Sequence, residues 1–270
     1  AEVSDGATSN NTTLSLTFTS SEATTDFLVG DITVSGGALS AFNATSSTVY
    51  TATFTPSGQG ACTIDVAANT FTDTVGNNNL VSTQFNWLFD SVAPTLSDVS
   101  IESDNTTDTL AKVNDVITLT MTANETIQTP VVTFQSGSAA ITDTSITYNN
   151  TSGNTWTAAY TANSSDTNGS VSYSIAYTDS AGNAGTAVTS GSGSVNFDKT
   201  APTVTITAAE VSDGATSNDA TLALTFTSSE ATTTFAVGDI TVSGGALSSF
   251  ADTSSTVYTA TFTPSGQGAC

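Results

Sequence analysis

A long internal repeat limits what this chain can fold into more than any other feature of its sequence. The segment Ala1–Cys62 recurs as Ala209–Cys270, 208 residues further on, and the two copies differ at only eight positions. This near-identity indicates duplication of a larger unit, and repetition at a fixed spacing is typical of tandem arrays of one kind of module. The chain has 270 residues, which is enough for two or three modules of ordinary size.

A second, weaker repeat divides the duplicated unit. The motif Asp-x-x-Ala-Pro-Thr occurs at Asp90–Thr95 and again at Asp198–Thr203, 108 residues later. Because proline ends a strand and stiffens the chain, we interpret both motifs as domain boundaries. They predict a type A module at 1–92 that lacks its first strand, a type B module at 93–200, and a second type A module at 201–270 that lacks its last strands.

Apolar and polar residues alternate with a period of two in all three modules, which indicates strands with one buried face. Six or seven such strands in about 100 residues, separated by turn signals, are typical of an antiparallel β-sandwich. No segment predicts a helix. The alternating positions that we expect in the core include Leu14, Leu16 and Phe18 in the first module and Ile117, Leu119, Met121 and Ala123 in the second.

The charge of the chain excludes several functions. It carries 24 Asp and Glu against two Lys or Arg, with no His, for a net charge of −22. Such a surface repels nucleic acid and anionic lipid, and no apolar run is long enough to insert into a membrane.

Without His, neither a Ser–His–Asp nor a Cys–His catalytic site can form. Paired carboxylates are not excluded by counting, but the acids recur at strand ends and turns, which favours a structural role. We therefore predict that the chain is not an enzyme.

Three motifs together resemble bacterial Ig-like (Big-type) repeat modules. They are the Asp-x-x-Ala-Pro-Thr joints, the Thr-Asp-x-x-Gly-Asn turns at Thr72–Asn77 and Thr178–Asn183, and the Glu-Val-Ser-Asp-Gly-Ala opening at Glu2–Ala7. The resemblance covers essentially the whole chain. It implies tandem immunoglobulin-like sandwiches arranged as an extended rod, as found in very large secreted adhesins, in which calcium often stiffens the joints between modules.

The Ig-like plan predicts a calcium site at the joint before the second module. Asp90 of the joint, Glu125 of a loop, and Asp179 and Asn183 of the final hairpin are expected at the same end of the sandwich, and Asp5 of the first module is expected to face them. Carboxylate and carbonyl oxygens are the ligands that calcium prefers, and carboxylates brought together are unfavourable unless a cation neutralises them. The alternative is that these are ordinary solvated turn residues.

The same reasoning predicts equivalent sites in the other modules. At the next joint Asp198 and Glu230 are expected to meet, with a further acid approaching from the second module. In the first module the joint that belongs to the equivalent pair is expected to lie before Ala1. These candidates are Asp198, Glu230, Asp104, Asp108 and Asp166 at the second joint, and Glu22 and Asp73 in the first module.

The cysteines and tryptophans have simple structural interpretations. Cys62 and Cys270 are one repeated position, so they do not form a disulfide framework. The alternation around Cys62 predicts a small buried residue, with an interchain disulfide as the alternative. Trp87 and Trp156 lie in alternating strands, which favours core packing over a role as sugar-stacking platforms.

These observations predict a non-catalytic structural repeat region of a secreted, cell-surface adhesin stalk or fibre, whose partners are calcium ions and neighbouring modules or copies of itself. Two alternatives remain: a glycan-binding or other ligand-binding module, and a spacer attached to a secreted enzyme. Because the first module lacks a first strand and the last lacks its final strands, we expect either that the polypeptide continues in both directions or that neighbouring chains donate the missing strands.

Overall fold

The computed structural model describes residues 2–270, and its regular elements are β-strands and two three-residue 3-10 turns, Val29–Asp31 and Val237–Asp239. The all-β prediction is therefore confirmed. The chain forms two compact units, one ending at Lys199 and the other covering Thr200–Cys270. No helix among the described residues has the length and apolar character that crossing a membrane requires.

The first half of the first unit contains two sheets with a common core between them. One sheet has the strand order β1-β7-β6-β3 and the other β2-β5-β4, and all pairs are antiparallel except β1 with β7. The strands are β1 (Thr8–Ser9), β2 (Leu14–Thr19), β3 (Ile32–Ser35), β4 (Gly37–Ala44), β5 (Val49–Pro56), β6 (Gly60–Val66) and β7 (Phe85–Phe89).

The second half of the first unit repeats this plan with more strands. Its sheets have the orders β13-β14-β10-β8 and β12-β11-β15-β16-β9, and β16 pairs parallel with β9 as β7 does with β1. The strands are β8 (Leu96–Ser103), β9 (Leu110–Ala111), β10 (Val116–Ala123), β11 (Val131–Ser136), β12 (Ala139–Ala140), β13 (Thr147–Ser152), β14 (Thr155–Thr161), β15 (Gly169–Ala176) and β16 (Asn196–Phe197).

The second unit consists of one sheet. Its order is β17-β18-β20-β19, and all three pairs are antiparallel. The last two strands follow the repeat, since they correspond to β4 and β5. The strands are β17 (Val204–Ala208), β18 (Leu222–Ser228), β19 (Gly245–Ser254) and β20 (Val257–Pro264).

The period of two in the sequence correctly identifies the core. Leu14 and Phe54 lie in one buried cluster of the first unit, Leu119 and Met121 in another, and Phe226 in the cluster of the second unit. Leu16 and Phe18 are only partly buried and pack against the edge of the first cluster. The domain boundaries at 92/93 and 200/201 stay a prediction.

Candidate functional site

A turn that follows β7 positions the first acidic side chain of the site. The backbone N–H of Asp90 donates to the carbonyl of Ser9 (3.0 Å), which ties the end of β7 to β1. The carboxylate Oδ1 of Asp90 accepts from the Gln59 side chain (2.7 Å) and from the backbone of Val92 (3.0 Å). These bonds hold Asp90 in place while leaving Oδ2 available to a ligand.

The hairpin that begins at Asp179 positions the second carboxylate. The backbone and side-chain amides of Asn183 donate to the two carboxylate oxygens of Asp179, each at 2.8 Å. Gly182 supplies the positive φ of +94° that the tight turn requires. Asp179 is only 1% exposed. The turn therefore holds a buried carboxylate through hydrogen bonds from its own Asn183.

The first module builds the same hairpin at Asp73. Its two carboxylate oxygens accept from the backbone (2.8 Å) and the side chain (2.7 Å) of Asn77. The recurring Thr-Asp-x-x-Gly-Asn motif therefore has a local structural cause in both modules, and that cause alone implies no bound metal.

The loop after β10 positions the third acidic group. Ile127 is buried in the core and forms a β-bridge with Asp179, and the backbone of Gln128 donates to the carbonyl of Thr178 (2.8 Å). These contacts bring Glu125, two residues before Ile127, to the Asp179 hairpin. No hydrogen bond to the Glu125 side chain occurs within residues 2–270.

The three carboxylates Asp90, Glu125 and Asp179 converge, with one oxygen of each lying within 4.8 Å of the others. Burial raises the pKa of Glu125, and the negative charges of Asp90 and Asp179 raise it further. The two lysines lie elsewhere: Lys199 Nζ donates to the carbonyls of Ser164 and Asp166, and Lys112 lies near Asp115. The cluster therefore brings together like charges that no lysine neutralises.

An asparagine pair joins this cluster to the first module. The side-chain amide of Asn183 donates to the carbonyl of Asp90 (3.0 Å), and its Oδ1 accepts from Asn10 Nδ2 (3.2 Å). The predicted residue Asn183 therefore has a structural role, because both the nitrogen and the oxygen of its side-chain amide are hydrogen-bonded to protein groups. Sequence reasoning missed Asn10 and Gln59, since a single Asn or Gln in a polar loop carries no distinguishing pattern.

Asp5, predicted for the first joint, and Asp166, predicted for the second, both have partners outside the cluster. Asp5 lies beside β7, where its Oδ1 accepts from the backbone (2.8 Å) and the side chain (2.9 Å) of Asn86. Asp166, which is 1% exposed, brackets a turn by accepting from the backbone and hydroxyl of Thr142 and the backbone of Asn163, each at 2.8 Å. Both side chains have structural partners that explain their positions.

The remaining candidates are not gathered into a set of three acids within residues 2–270. Asp104 accepts from the backbone of Val116 (2.8 Å), and the carbonyl of Asp108 accepts from the backbone of Ser103 (2.9 Å). Glu22 and Asp73 line one open cavity of the first module. Asp198 accepts from the Asn168 side chain in the first unit, whereas Glu230 lies in the second unit, and the site predicted from them stays a prediction.

The aromatic and sulfur groups serve packing, as predicted. Trp87 is buried and meets Phe54 edge to face at 4.8 Å, and the partly buried Trp156 packs against the core of the second module. Cys62 is a fully buried free cysteine, while its counterpart Cys270 is free and exposed. Two buried tryptophan N–H groups, those of Trp87 and Trp156, have no hydrogen-bond partner among the described residues.

Comparison with known proteins identifies the family of these modules. No curated protein matches the chain. Solved structures similar to it include a three-Ig structure of titin domains I67–I69 in an E-to-A mutated variant, with 9% identity, a TM-score of 0.40 and coverage of 97% of this chain and 86% of that one. The I9–I11 tandem from titin has 7% identity, a TM-score of 0.28 and the same two coverages. Similarity at this level supports no inference about function.

The family comparison is decisive. The model of the family described as "Bacterial Ig-like domain" matches residues 1–88 and 198–269, which contain the first copy of the long repeat and nearly all of the second. This match and the paired sheets confirm the resemblance found in the sequence and the prediction of tandem Ig-like sandwiches. Domains of this family are typically non-catalytic, and their tandem occurrence indicates a structural repeat. The chain belongs to the bacterial Ig-like domain family.

Proposed function

We propose that this chain is a non-catalytic structural repeat region of an extracellular adhesin stalk or surface fibre, and that calcium at the Asp90–Glu125–Asp179 cluster stiffens the joint between its first two modules. The observation that carries the proposal is the convergence of carboxylate oxygens from three separate segments within 4.8 Å of one another. The family supports the structural role, because bacterial Ig-like domains are common in surface proteins.

The cluster has the ligand chemistry that calcium requires. Calcium takes six to eight oxygen ligands and accepts carboxylates, carbonyls and water. Among residues 2–270, no donor bonds to Asp90 Oδ2 or to the Glu125 carboxylate, and Asp179 retains acceptor capacity beyond its two bonds to Asn183. A cation held by Asp90 of the first module and by Glu125 and Asp179 of the second would link the two modules directly.

The ionisation of Glu125 explains why a cation would stabilise the folded chain. Because its pKa is raised above the ordinary value of 4.5, native Glu125 holds a proton more tightly than the unfolded chain does. The stability that protonation contributes is fully present below the unfolded value of 4.5, and it is lost as the pH rises from there through the raised pKa. At neutral pH the ionised cluster is therefore destabilising, and calcium would remove that penalty.

Thermal unfolding with and without calcium tests the proposal. Extracellular calcium sites have dissociation constants of about 10⁻⁴ to 10⁻³ M, and a concentration ten times the dissociation constant adds about 1.4 kcal/mol per site. We therefore expect millimolar calcium to raise Tm by a few degrees relative to excess chelator, on the scale of about 2–4 °C per kcal/mol for a chain of this size. Identical melts in calcium and in chelator would refute the site.

Glu125→Gln separates calcium binding from general charge effects. In chelator at neutral pH we expect this variant to melt at or above the temperature of the unmodified chain, because it removes the repulsion. In calcium we expect most of the stabilisation to be lost. Glu102→Gln, on an exposed position of β8, is the matched control and should keep the full calcium shift. Equal calcium responses in both variants would contradict the assignment.

A further inference from the structure

The register of the last strand pair in the first and second modules brings one loop residue opposite the aspartate of the joint. Gly60 pairs with Phe89 in the first module. Gly169 pairs with Phe197 in the second. In an antiparallel ladder the residues one step beyond such a pair also face each other, so the residue before each glycine lies opposite the residue after each phenylalanine. These facing pairs are Gln59 with Asp90 and Asn168 with Asp198.

In the first module the facing pair forms a two-point contact, which we call the amide clamp. Gln59 Nε2 donates to Asp90 Oδ1, and Oε1 of the same amide accepts from the backbone N–H of Ser91, each at 2.7 Å. The amide therefore holds two successive residues of the joint, one by its side chain and one by its backbone. Asp90 Oδ1 also accepts from the backbone of Val92 (3.0 Å), so donors from two directions fix the orientation of the carboxylate.

The second module has the same amide clamp, formed by an asparagine. Asn168 Nδ2 donates to Asp198 Oδ1 (2.7 Å), and Asn168 Oδ1 accepts from the backbone N–H of Lys199 (3.1 Å). The Lys199 ammonium adds bonds to the carbonyls of Ser164 (3.0 Å) and Asp166 (2.7 Å) of the same module. The long repeat does not relate Asn168 to Gln59, so the shared geometry indicates a common role at the joint.

A backbone hydrogen bond holds each joint aspartate from the other side. The N–H of Asp90 donates to the carbonyl of Ser9 (3.0 Å). The N–H of Asp198 donates to the carbonyl of Ala111 (2.8 Å). Ser9 and Ala111 are the last residues of β1 and β9, the two strands that pair parallel with β7 and β16. Each aspartate is therefore fixed between a parallel strand and an amide clamp, both belonging to the module that the chain is leaving.

At the first joint the amide clamp gives the two oxygens of Asp90 different surroundings. Oδ1 accepts from Gln59 and Val92, whereas no donor among residues 2–270 bonds to Oδ2. One Asp90 oxygen lies within 4.8 Å of oxygens of Glu125 and Asp179. Groups that orient a metal ligand through hydrogen bonds change metal affinity by about 10–100-fold when they are removed. The clamp therefore belongs to the surroundings that determine how well Asp90 can hold a cation.

We propose that Gln59 and Asn168 are positioning residues that hold each joint to the module before it, and that Gln59 also orients Asp90 for a cation. The first role needs no metal, since both amide clamps consist of protein groups alone. The second role rests on the calcium site proposed above. Two separate contacts then stiffen the first joint: the clamp ties it to the first module, and the cation ties it to the second.

Amide hydrogen exchange in excess chelator tests the clamps without calcium. Both amide side chains are exposed, so their removal leaves the core intact. We expect Gln59→Ala to speed exchange of the Ser91 backbone N–H by up to about tenfold, the equivalent of one ordinary hydrogen bond, and to leave Lys199 unchanged. Asn168→Ala is the reciprocal control and should speed exchange at Lys199 alone. Unchanged exchange at both N–H groups, or faster exchange at both in either variant, would overturn the proposal.

Calcium titration followed by the backbone NMR signal of Asp179 tests the orientation of Asp90. We expect Gln59→Ala to raise the dissociation constant about 10–100-fold, and Asn168→Ala to leave it unchanged. Calcium binding by the unmodified chain with equal affinity in Gln59→Ala would overturn the positioning role while leaving the calcium site intact. An unmodified chain that binds no calcium would refute the proposed site instead, and hydrogen exchange would still decide whether the clamps hold the joints.

Discussion

At the scale of single residues, the acids of this chain fall into two groups. Some accept hydrogen bonds that stabilise a turn, and others lie close to further carboxylates. Asp179 belongs to both groups, since Asn183 brackets its carboxylate while Glu125 and Asp90 lie nearby. Asp166 belongs only to the first, because Thr142 and Asn163 satisfy its buried carboxylate. Buried and bracketed acids are therefore not evidence of a metal unless other acids converge on them.

Asp166 provides a test of this distinction. We expect Asp166→Ala to lower the free energy of unfolding by about 1–3 kcal/mol, because the turn would lose the three hydrogen bonds that Thr142 and Asn163 donate to this buried carboxylate. The calcium-induced change in Tm should be the same as in the unmodified chain. Chemical denaturation and melts in calcium and in chelator measure the two quantities. A lost calcium shift would place Asp166 among the metal ligands, as the sequence first suggested.

At the scale of elements, the hairpin after β15 decides whether the cluster forms. Gly185 lies in this hairpin, and its N–H donates to the carbonyl of Tyr177 (3.0 Å). A Cβ at this position would lie 2.2 Å from the Tyr177 ring, which is buried in the core of the second module. The hairpin that holds Asp179 is therefore packed directly against the core, with no space for a methyl group.

We expect Gly185→Ala to destabilise the chain by about 1–3 kcal/mol, because either the ring or the hairpin must shift. The displaced hairpin should also weaken calcium binding, seen as a smaller change in Tm between chelator and calcium. Gly58→Ala is the matched control, since an added Cβ there meets no atom within 4 Å. Equal stability of the two variants would show that the hairpin is less constrained than its contacts indicate.

At the scale of the whole molecule, the units differ in how much core they enclose. The first unit holds two extensive buried clusters, whereas the buried cluster of the second consists of Phe226, Tyr258 and Ala260.

We expect the second unit to open more readily than the first, because local stability follows the amount of buried apolar contact. Limited digestion with thermolysin, followed by mass spectrometry, should therefore cut first within 200–270 and leave a fragment close to 2–199. Digestion is carried out at low protein concentration, so that cleavage is measured on monomers. First cuts within 2–199 would contradict this ranking.

The sequence by itself determined most of the fold and the main members of the candidate site. Period-two alternation identified buried residues such as Leu119 and Phe54, because a strand exposes its two faces to different surroundings. The repeated Asp-x-x-Gly-Asn turn identified Asp179, and comparison of the modules singled out Asp90 and Glu125. Each of these signals is local and recurs, so it can be recognised without coordinates.

Only the tertiary structure decided which acids meet. The sequence placed Asp5 beside the joint, but Asn86 holds it at β7, and Asn10 reaches Asn183 instead. The sequence also grouped Asp166 with the metal ligands, although a turn encloses it. Convergence depends on loop paths and on hydrogen bonds between residues far apart in the chain, such as Asn10 and Asn183. No periodicity records such bonds, because a single polar side chain looks the same in the sequence whether it faces solvent or a distant partner.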